Sequence, residues 1–271
     1  MISVVIPCYN GGKFLSSALD SVEAQKLDSL QVIIIDDGST DNTLEIAQTY
    51  AKSSSLQVNV ITHQNKENLG IGATYRLGLQ NANQRYLAFL EQDDQWAPNY
   101  LSQKINILNK YPDVGLVFSN IQICQEDGKR LGFCDRKVSK PLPVNEPFSS
   151  FSMLREGNFI RTFSDIFVRR SLVKPEYILS DPEGFQDWMF LLIISNLASF
   201  FYCTSTFIFW RRWDGSFNSQ QILGSNYQKL RRKAVNNALT IKKRIERGHT
   251  VLKNKKSIDI PIWSDLFRKL V

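Results

Sequence analysis

Ile2-Ser3-Val4-Val5-Ile6-Pro7-Cys8-Tyr9-Asn10 decides the fold: a short, largely apolar run that stops at a proline and opens into polar residues. A run of that length bounded by turn formers reads as a buried strand. The same figure returns at Val32–Ile35, Val58–Ile61 and Tyr86–Leu90. Between these runs Phe14, Leu15, Ala18, Leu19 and Val22 recur at helical spacing. So do Leu44, Ala47 and Ala51, behind a Ser39-Thr40-Asp41 start suited to capping. Strand–helix alternation predicts an α/β fold, a mostly parallel Rossmann-like sheet with helices on both faces. In such a sheet the polar residues just past the strand ends collect in one crevice, where ligands bind. Three such ends are Pro7-Cys8-Tyr9-Asn10, Asp36-Asp37-Gly38-Ser39 and Glu91-Gln92-Asp93-Asp94.

From Val114 the pattern changes. Val114–Ser119, Ile121–Cys124 and the turn Glu126-Asp127-Gly128-Lys129 predict a strand and a hairpin. Pro141, Pro143 and Pro147 mark a loop, followed by a helix near Ser149–Arg155 and a strand at Asp165–Arg169. Trp188–Trp210 is long enough to cross a bilayer. Ser195, Asn196, Ser199, Thr204, Ser205 and Thr206 interrupt it, so it reads as a buried helix followed by a buried strand. The expected organisation is one domain over 1–225, in halves 1–112 and 113–225, and an extension over 226–271.

Charge separates the two parts. The chain has 33 Lys and Arg against 26 Asp and Glu, a net +7, yet residues 226–271 alone hold 13 of the bases and 3 of the acids. A mildly acidic body thus carries a basic appendage. Four scattered cysteines, with two histidines, leave no zinc spacing. Isolated cysteines and an N-terminus without a charged leader segment predict a reduced, cytoplasmic setting.

The carboxylates carry the chemistry. Asp36-Asp37 and Asp93-Asp94 each follow an apolar strand, which brings four acids to one sheet edge. Like charges held that close repel, and burial adds to the cost. A divalent cation or a network of donors relieves it, and oxygen-only ligands favour Mg²⁺ or Mn²⁺ set between carboxylates and substrate phosphates. Asp41 and Asp36 read equally well as helix caps and turn formers. Gly70-Ile71-Gly72 with Gly78 does not have the spacing of a dinucleotide-binding loop. Arg76 reads as a candidate for a diphosphate and equally as a solvated arginine.

The ordered motifs resemble those of the family 2 glycosyltransferases. They are Ser3-Val4-Val5-Ile6-Pro7-Cys8-Tyr9-Asn10, Ile35-Asp36-Asp37-Gly38-Ser39-Thr40-Asp41, Asn68-Leu69-Gly70, Phe89-Leu90-Glu91-Gln92-Asp93-Asp94-Gln95-Trp96, Gln186-Asp187-Trp188 and Trp210-Arg211-Arg212. The resemblance spans roughly 1–216. It implies a GT-A fold, with 1–112 as the nucleotide-sugar-binding half and 113–225 as the acceptor-binding half. It also implies a nucleoside-diphosphate sugar donor, UDP on family frequency alone, and inversion at the anomeric carbon. The site it implies has Pro7, Tyr9, Asp37 and Asp94 at the nucleotide. Asp93, which closes the Asp-x-Asp motif, and Glu91 hold a divalent metal, Mn or Mg, and Asp187 is the general base. The chain departs from the pattern at Glu91, at Gln186 in place of the usual Glu, and at Trp213, where a histidine is frequent.

Two rival readings use the same residues: a nucleotidyltransferase, for which Asn10-Gly11-Gly12-Lys13 is a faint phosphate loop, and a non-catalytic nucleotide-sugar-binding module. The expected acceptor is a hydroxyl of a glycan or lipid-linked molecule in cell-surface polysaccharide synthesis. In the extension, Leu230, Ala234, Ala238, Ile241 and Ile245 recur at helical spacing among lysines and arginines. Ile262-Trp263, Leu266, Phe267 and Leu270 add a second apolar stretch. A helical, basic, amphipathic tail on the anionic inner face of a membrane is the expectation, and no nucleic acid is expected.

Overall fold

A computed structural model describes residues 1–136, 138–178, 186–214 and Asn236. The extension expected over 226–271 lies, Asn236 apart, outside the described residues, and the architecture below is that of the unit Met1–Ser225. Strands and helices alternate through the first ninety residues: β1 Ile2–Cys8, α1 Leu15–Glu23, β2 Leu30–Asp36, α2 Thr43–Ser53, β3 Gln57–Thr62, α3 Ile71–Asn81 and β4 Tyr86–Phe89. There follow β5 Gln95–Trp96, α4 Tyr100–Lys110, β6 Val114–Gln125, β7 Arg130–Phe133, β8 Pro147–Phe148, α5 Phe151–Glu156, β9 Phe167–Arg169, α6 Gln186–Ile194 and β10 Ser199–Arg212.

One sheet runs in the order β3-β2-β1-β4-β9-β6-β10-β5, with β7 on β6 and β8 on β10. β1 to β4 are parallel throughout, and β5 lies antiparallel on β10. The second half mixes directions: β9 lies antiparallel between β4 and β6, while β10 returns parallel to β6. The parallel expectation thus holds for the βα units, whose helical crossovers enforce it, and gives way where hairpins replace helices.

Period-2 alternation assigns the two faces. Val4, Ile6, Val32 and Ile34 share a buried cluster with Ala18 and Leu19 of α1 and Ala47 of α2. Val5 and Ile35 point the other way, against α3. A Cβ on Gly78 would stand 2.4 Å from Val5 Cγ1 and 2.9 Å from Ile35 Cδ1, so only glycine lets α3 settle on the sheet. Gly78→Ala is therefore expected to destabilise by about 1–2 kcal/mol, its overpacking outweighing the gain in helix propensity. A melting curve should show a drop of several degrees, and an unchanged midpoint would refute the close approach.

Trp188–Trp210 is a buried helix and a strand, as its polar interruptions predict, and among the described residues no helix is long and apolar enough to cross a membrane. Three expected boundaries move. β6 is one strand of 12 residues rather than two runs, and it forms the expected hairpin with β7. The helix expected near Ser149–Arg155 is α5, Phe151–Glu156. The strand expected from Asp165 starts at Phe167, because Phe163–Asp165 is a 3₁₀ turn whose aspartate is drawn inward by buried cations.

Candidate active site

Topology places the site. β1, β2, β4 and β10 all end on one edge of the sheet, and the antiparallel β9 begins there. Residues following four strands and preceding a fifth thus line a single cleft of about 540 Å³. Its walls include Pro7, Tyr9 and Asp37, the start of α3 at Gly70 and Ile71, then Glu91, Gln92 and Asp93, the Arg161-Thr162-Phe163 segment, Gln186 and Asp187, and Trp210–Trp213.

The expected convergence of four acids divides by role. Asp36 is turned into the protein, 2% exposed, and one oxygen accepts the Ser39 N–H. Asp37 stays on the cleft wall, but its oxygens accept the N–H groups of Leu69 (2.7 Å) and Gly70 (3.0 Å), and His63 Nε2 lies 3.4 Å away. It holds the Asn68-Leu69-Gly70 loop against the sheet. Asp94, expected at the nucleotide, is 1% exposed and absent from the cleft wall. Its carboxylate accepts the Arg211 backbone N–H (3.0 Å) and faces the Thr162 hydroxyl (3.3 Å), which ties β10 to the carboxylate loop. In an Asp-Asp pair just past a strand, one side chain takes the buried side and the other the solvent side; here Asp94 is the buried one.

Asp93 and Glu91 remain on the cleft wall. Glu91 accepts from the Thr162 hydroxyl (2.7 Å) and the Tyr75 hydroxyl (3.4 Å). Burial, reinforced by Asp93, pushes its carboxyl up to about 7. Burial also raises the Asp93 carboxyl above its ordinary value, while the Trp213 indole N–H, 2.9 Å from Oδ2, holds it partly down. Among the described residues no group of three or more His, Cys, Asp or Glu is placed to hold a metal by itself. The donor set nevertheless suits a hard cation of the Mg²⁺ or Mn²⁺ kind. One or two carboxylates at the wall of an open cleft leave the remaining coordination positions to substrate phosphates and water.

Asp187 stands at the start of α6. Asn158 Nδ2 donates to its Oδ2 (2.7 Å) and the Trp188 N–H to its Oδ1 (2.6 Å). An N-cap side chain bonds the amides two or three residues on; this one takes the next amide and a side chain from another segment, and Asp187 lines the cleft. Burial lifts its carboxyl to about 6, with those two donors and Arg161 working against the rise. A carboxylate poised there is ionised near neutrality and still basic enough to accept a proton.

Several residues of the site carry no sequence signal of their own. Gln92, the middle of Glu91-Gln92-Asp93, grips Tyr9 through both backbone groups, accepting its N–H and donating to its carbonyl, each at 2.9 Å. A Cβ on Gly11 would meet Gln92 Oε1 at 1.9 Å, so that grip needs a glycine. Thr162 and Asn158, from the loop before β9, were not legible as partners of acids 71 and 29 residues away. Arg211 is spent internally: Nε donates to the Asp93 carbonyl, and Nη1 to those of Gln125 and Glu126. Arg76 donates to the Ile178 carbonyl.

The family model described as "Glycosyl transferase family 2" matches residues 3–173. Among curated proteins, an uncharacterized glycosyltransferase of Rickettsia felis is 30% identical over 160 residues, 58% of this chain and 25% of the relative. One of Rickettsia prowazekii is 36% identical over 144 residues, 52% and 43% of the two chains. The chain thus spans between a quarter and a half of these relatives' lengths. Of solved structures, Staphylococcus aureus TarS 1–349 in complex with UDP-GlcNAc superposes with a TM-score of 0.65 at 18% identity, covering 88% of this chain and 66% of that one. The mannosyltransferase PcManGT of Pyrobaculum calidifontis, in complex with GDP-Man and Mn²⁺, does so with a TM-score of 0.56 at 16% identity, covering 99% and 68%. The fold is that of the GT-A glycosyltransferases.

Proposed function

The chain belongs to glycosyl transferase family 2, and from that premise we propose that it is an inverting glycosyltransferase. It moves a sugar from a nucleoside-diphosphate donor, UDP-linked, to a hydroxyl of a glycan or lipid-linked acceptor in cell-surface polysaccharide synthesis. The observation that carries the reading is one cleft with Asp93 and Glu91 on its wall and Asp187, its carboxyl raised to about 6, on the same wall. The family and this constellation favour sugar transfer over nucleotidyl transfer and over a binding module without chemistry.

In this mechanism Pro7, Tyr9 and Asp37 line the nucleotide part of the cleft. Asp37 works through the loop it anchors, and Gln92 fixes the Tyr9 backbone. Asp93, with Glu91, would hold a divalent cation, which when bound supplies positive charge for the departing diphosphate. Asp187 takes the proton of the acceptor hydroxyl as its oxygen bonds to the anomeric carbon and the nucleoside diphosphate leaves from the opposite side. Asn158 and the Trp188 N–H hold the carboxylate in place for that transfer. We place the basic segment 226–271 at an anionic cytoplasmic membrane surface on its charge and apolar spacing alone.

A thermal-shift series tests the donor and metal together. UDP at about a hundredfold over its dissociation constant is expected to stabilise by about 2.7 kcal/mol with Mn²⁺, which is several degrees. In EDTA the shift should be at most a degree. Equal shifts in the two buffers would end the metal reading, and a larger shift with GDP than with UDP would change the donor.

A further inference from the structure

Among the described residues, the indole of Trp213 is held by two contacts. Its Nε1–H donates to Asp93 Oδ2 at 2.9 Å, and its ring meets that of Phe14 edge-on at 5.1 Å. Phe14 is itself buried and carries the Arg211 guanidinium 4.9 Å from its centroid. Arg211 in turn donates from Nε to the Asp93 carbonyl. The indole is therefore clamped against the one carboxylate that the metal reading most requires, within the same cleft.

We infer that Trp213 is a positioning residue that occupies one oxygen of Asp93, so that the protein takes up a divalent cation only together with the nucleoside diphosphate. The inference rests on the proposal that Asp93 ligates the metal. Two physical effects act in the same direction. The N–H engages a lone pair that a cation would otherwise take, and by donating it lowers the basicity of the carboxylate. Glu91 compensates only in part, since each of its oxygens already accepts from a hydroxyl, of Tyr75 or of Thr162. An empty cleft then offers too few free oxygens to strip water from Mg²⁺ or Mn²⁺, and diphosphate oxygens supply the missing ligands. The metal and the nucleotide bind cooperatively because each completes the other's site.

The test is Mn²⁺ binding, read from the electron-paramagnetic signal of free Mn²⁺, with and without UDP. It uses the chain of 271 residues as wild type, Trp213→Phe and Asp93→Ala. Trp213→Phe keeps an aromatic ring for Phe14 and removes the N–H together with part of the bicyclic ring. It is expected to bind Mn²⁺ alone roughly tenfold more tightly than wild type, the size of one hydrogen bond to a charged group. The tightening of Mn²⁺ binding by UDP should shrink correspondingly, with the melting temperature within about two degrees of wild type. A packing role alone would leave Mn²⁺ affinity unchanged or weaker in Trp213→Phe, and either result overturns the inference. Asp93→Ala separates the two levels: if it binds Mn²⁺ with UDP as wild type does, the metal reading itself is wrong. If it loses Mn²⁺ while Trp213→Phe matches wild type, only the role of Trp213 falls.

Discussion

Asp187→Asn is expected to lower turnover at least a hundredfold, leave donor binding within about twofold of wild type and not lower the melting temperature. A general base is worth ~10²–10⁴ in rate, and it acts in the transition state, so the loss belongs to kcat. The stability expectation follows from the sign of the pKa change. Folding raises the Asp187 carboxyl from its ordinary value to about 6, so the folded chain holds that proton more tightly than the unfolded one. Its contribution to stability therefore falls as pH rises between about 4 and 6. Above that range the ionised group disfavours the fold by on the order of 2 kcal/mol. Asparagine carries no such charge, which offsets the hydrogen bond its amide cannot accept. The wild-type kcat/KM should also fall below pH 6 as the base protonates. Release of nucleoside diphosphate from the donor, measured from pH 5 to 8 beside a melting curve, checks all three. A variant keeping a tenth of wild-type turnover would reduce Asp187 to a structural residue.

Asp165→Ala is expected to be the most damaging single change to stability. Asp165 is fully buried and accepts from Lys104 Nζ (3.1 Å), the Ser119 amide (2.8 Å) and hydroxyl (2.6 Å), and Arg136 (3.0 Å). Lys104 is as buried as its partner, and desolvation already pulls its ammonium down to about 8. Deleting the carboxylate leaves two buried cations facing each other, which costs about 3–5 kcal/mol. For a chain of this size that corresponds to a melting temperature lower by roughly 6–20 °C. Asp165→Ala/Lys104→Met, which removes one of the two stranded charges, should recover part of the loss. If the double variant melts no higher than the single one, the stranded charge is not the cause.

The two residues also mark what a sequence makes legible and what it hides. The four parallel strands of the first half were readable because each is a short apolar run closed by turn formers, and the order of βα units fixes which edge they share. Asp93 was readable because it follows a strand whose end opens on the crevice; Asp187 was readable only through the resemblance of Gln186-Asp187-Trp188 to a family motif. Lys104 was not: on sequence it is one polar residue on an amphipathic helix, and its partners Asp165 and Arg136 lie 61 and 32 residues away. Nor was the split between Asp93 and Asp94, since adjacent side chains diverge only once Arg211 has arrived to take one of them. The mixed second half resisted because hairpins and short strands, unlike βα units, do not dictate a neighbour.

The stitch between Asp94 and Arg211 has a consequence for biosynthesis. Those residues are separated by 117 positions, and β10 also pairs with β6 across some eighty. Such distant pairings are slow to form, because a long loop must close before either partner gains anything. Synthesis runs from the N-terminus, so the loops after β1, β2 and β4 leave the ribosome long before the strand that pins Asp94. Until residue 211 emerges, the Asp94 carboxylate lacks its amide donor and Asp93 lacks both Arg211 and Trp213. A nascent chain halted before β10 therefore has its four parallel strands but lacks the contacts that fix Asp93 and Asp94. On the proposed reading, competence for sugar transfer arrives with β10, and a ribosome-stalled series should acquire UDP-dependent protection from proteolysis in one step as β10 is released.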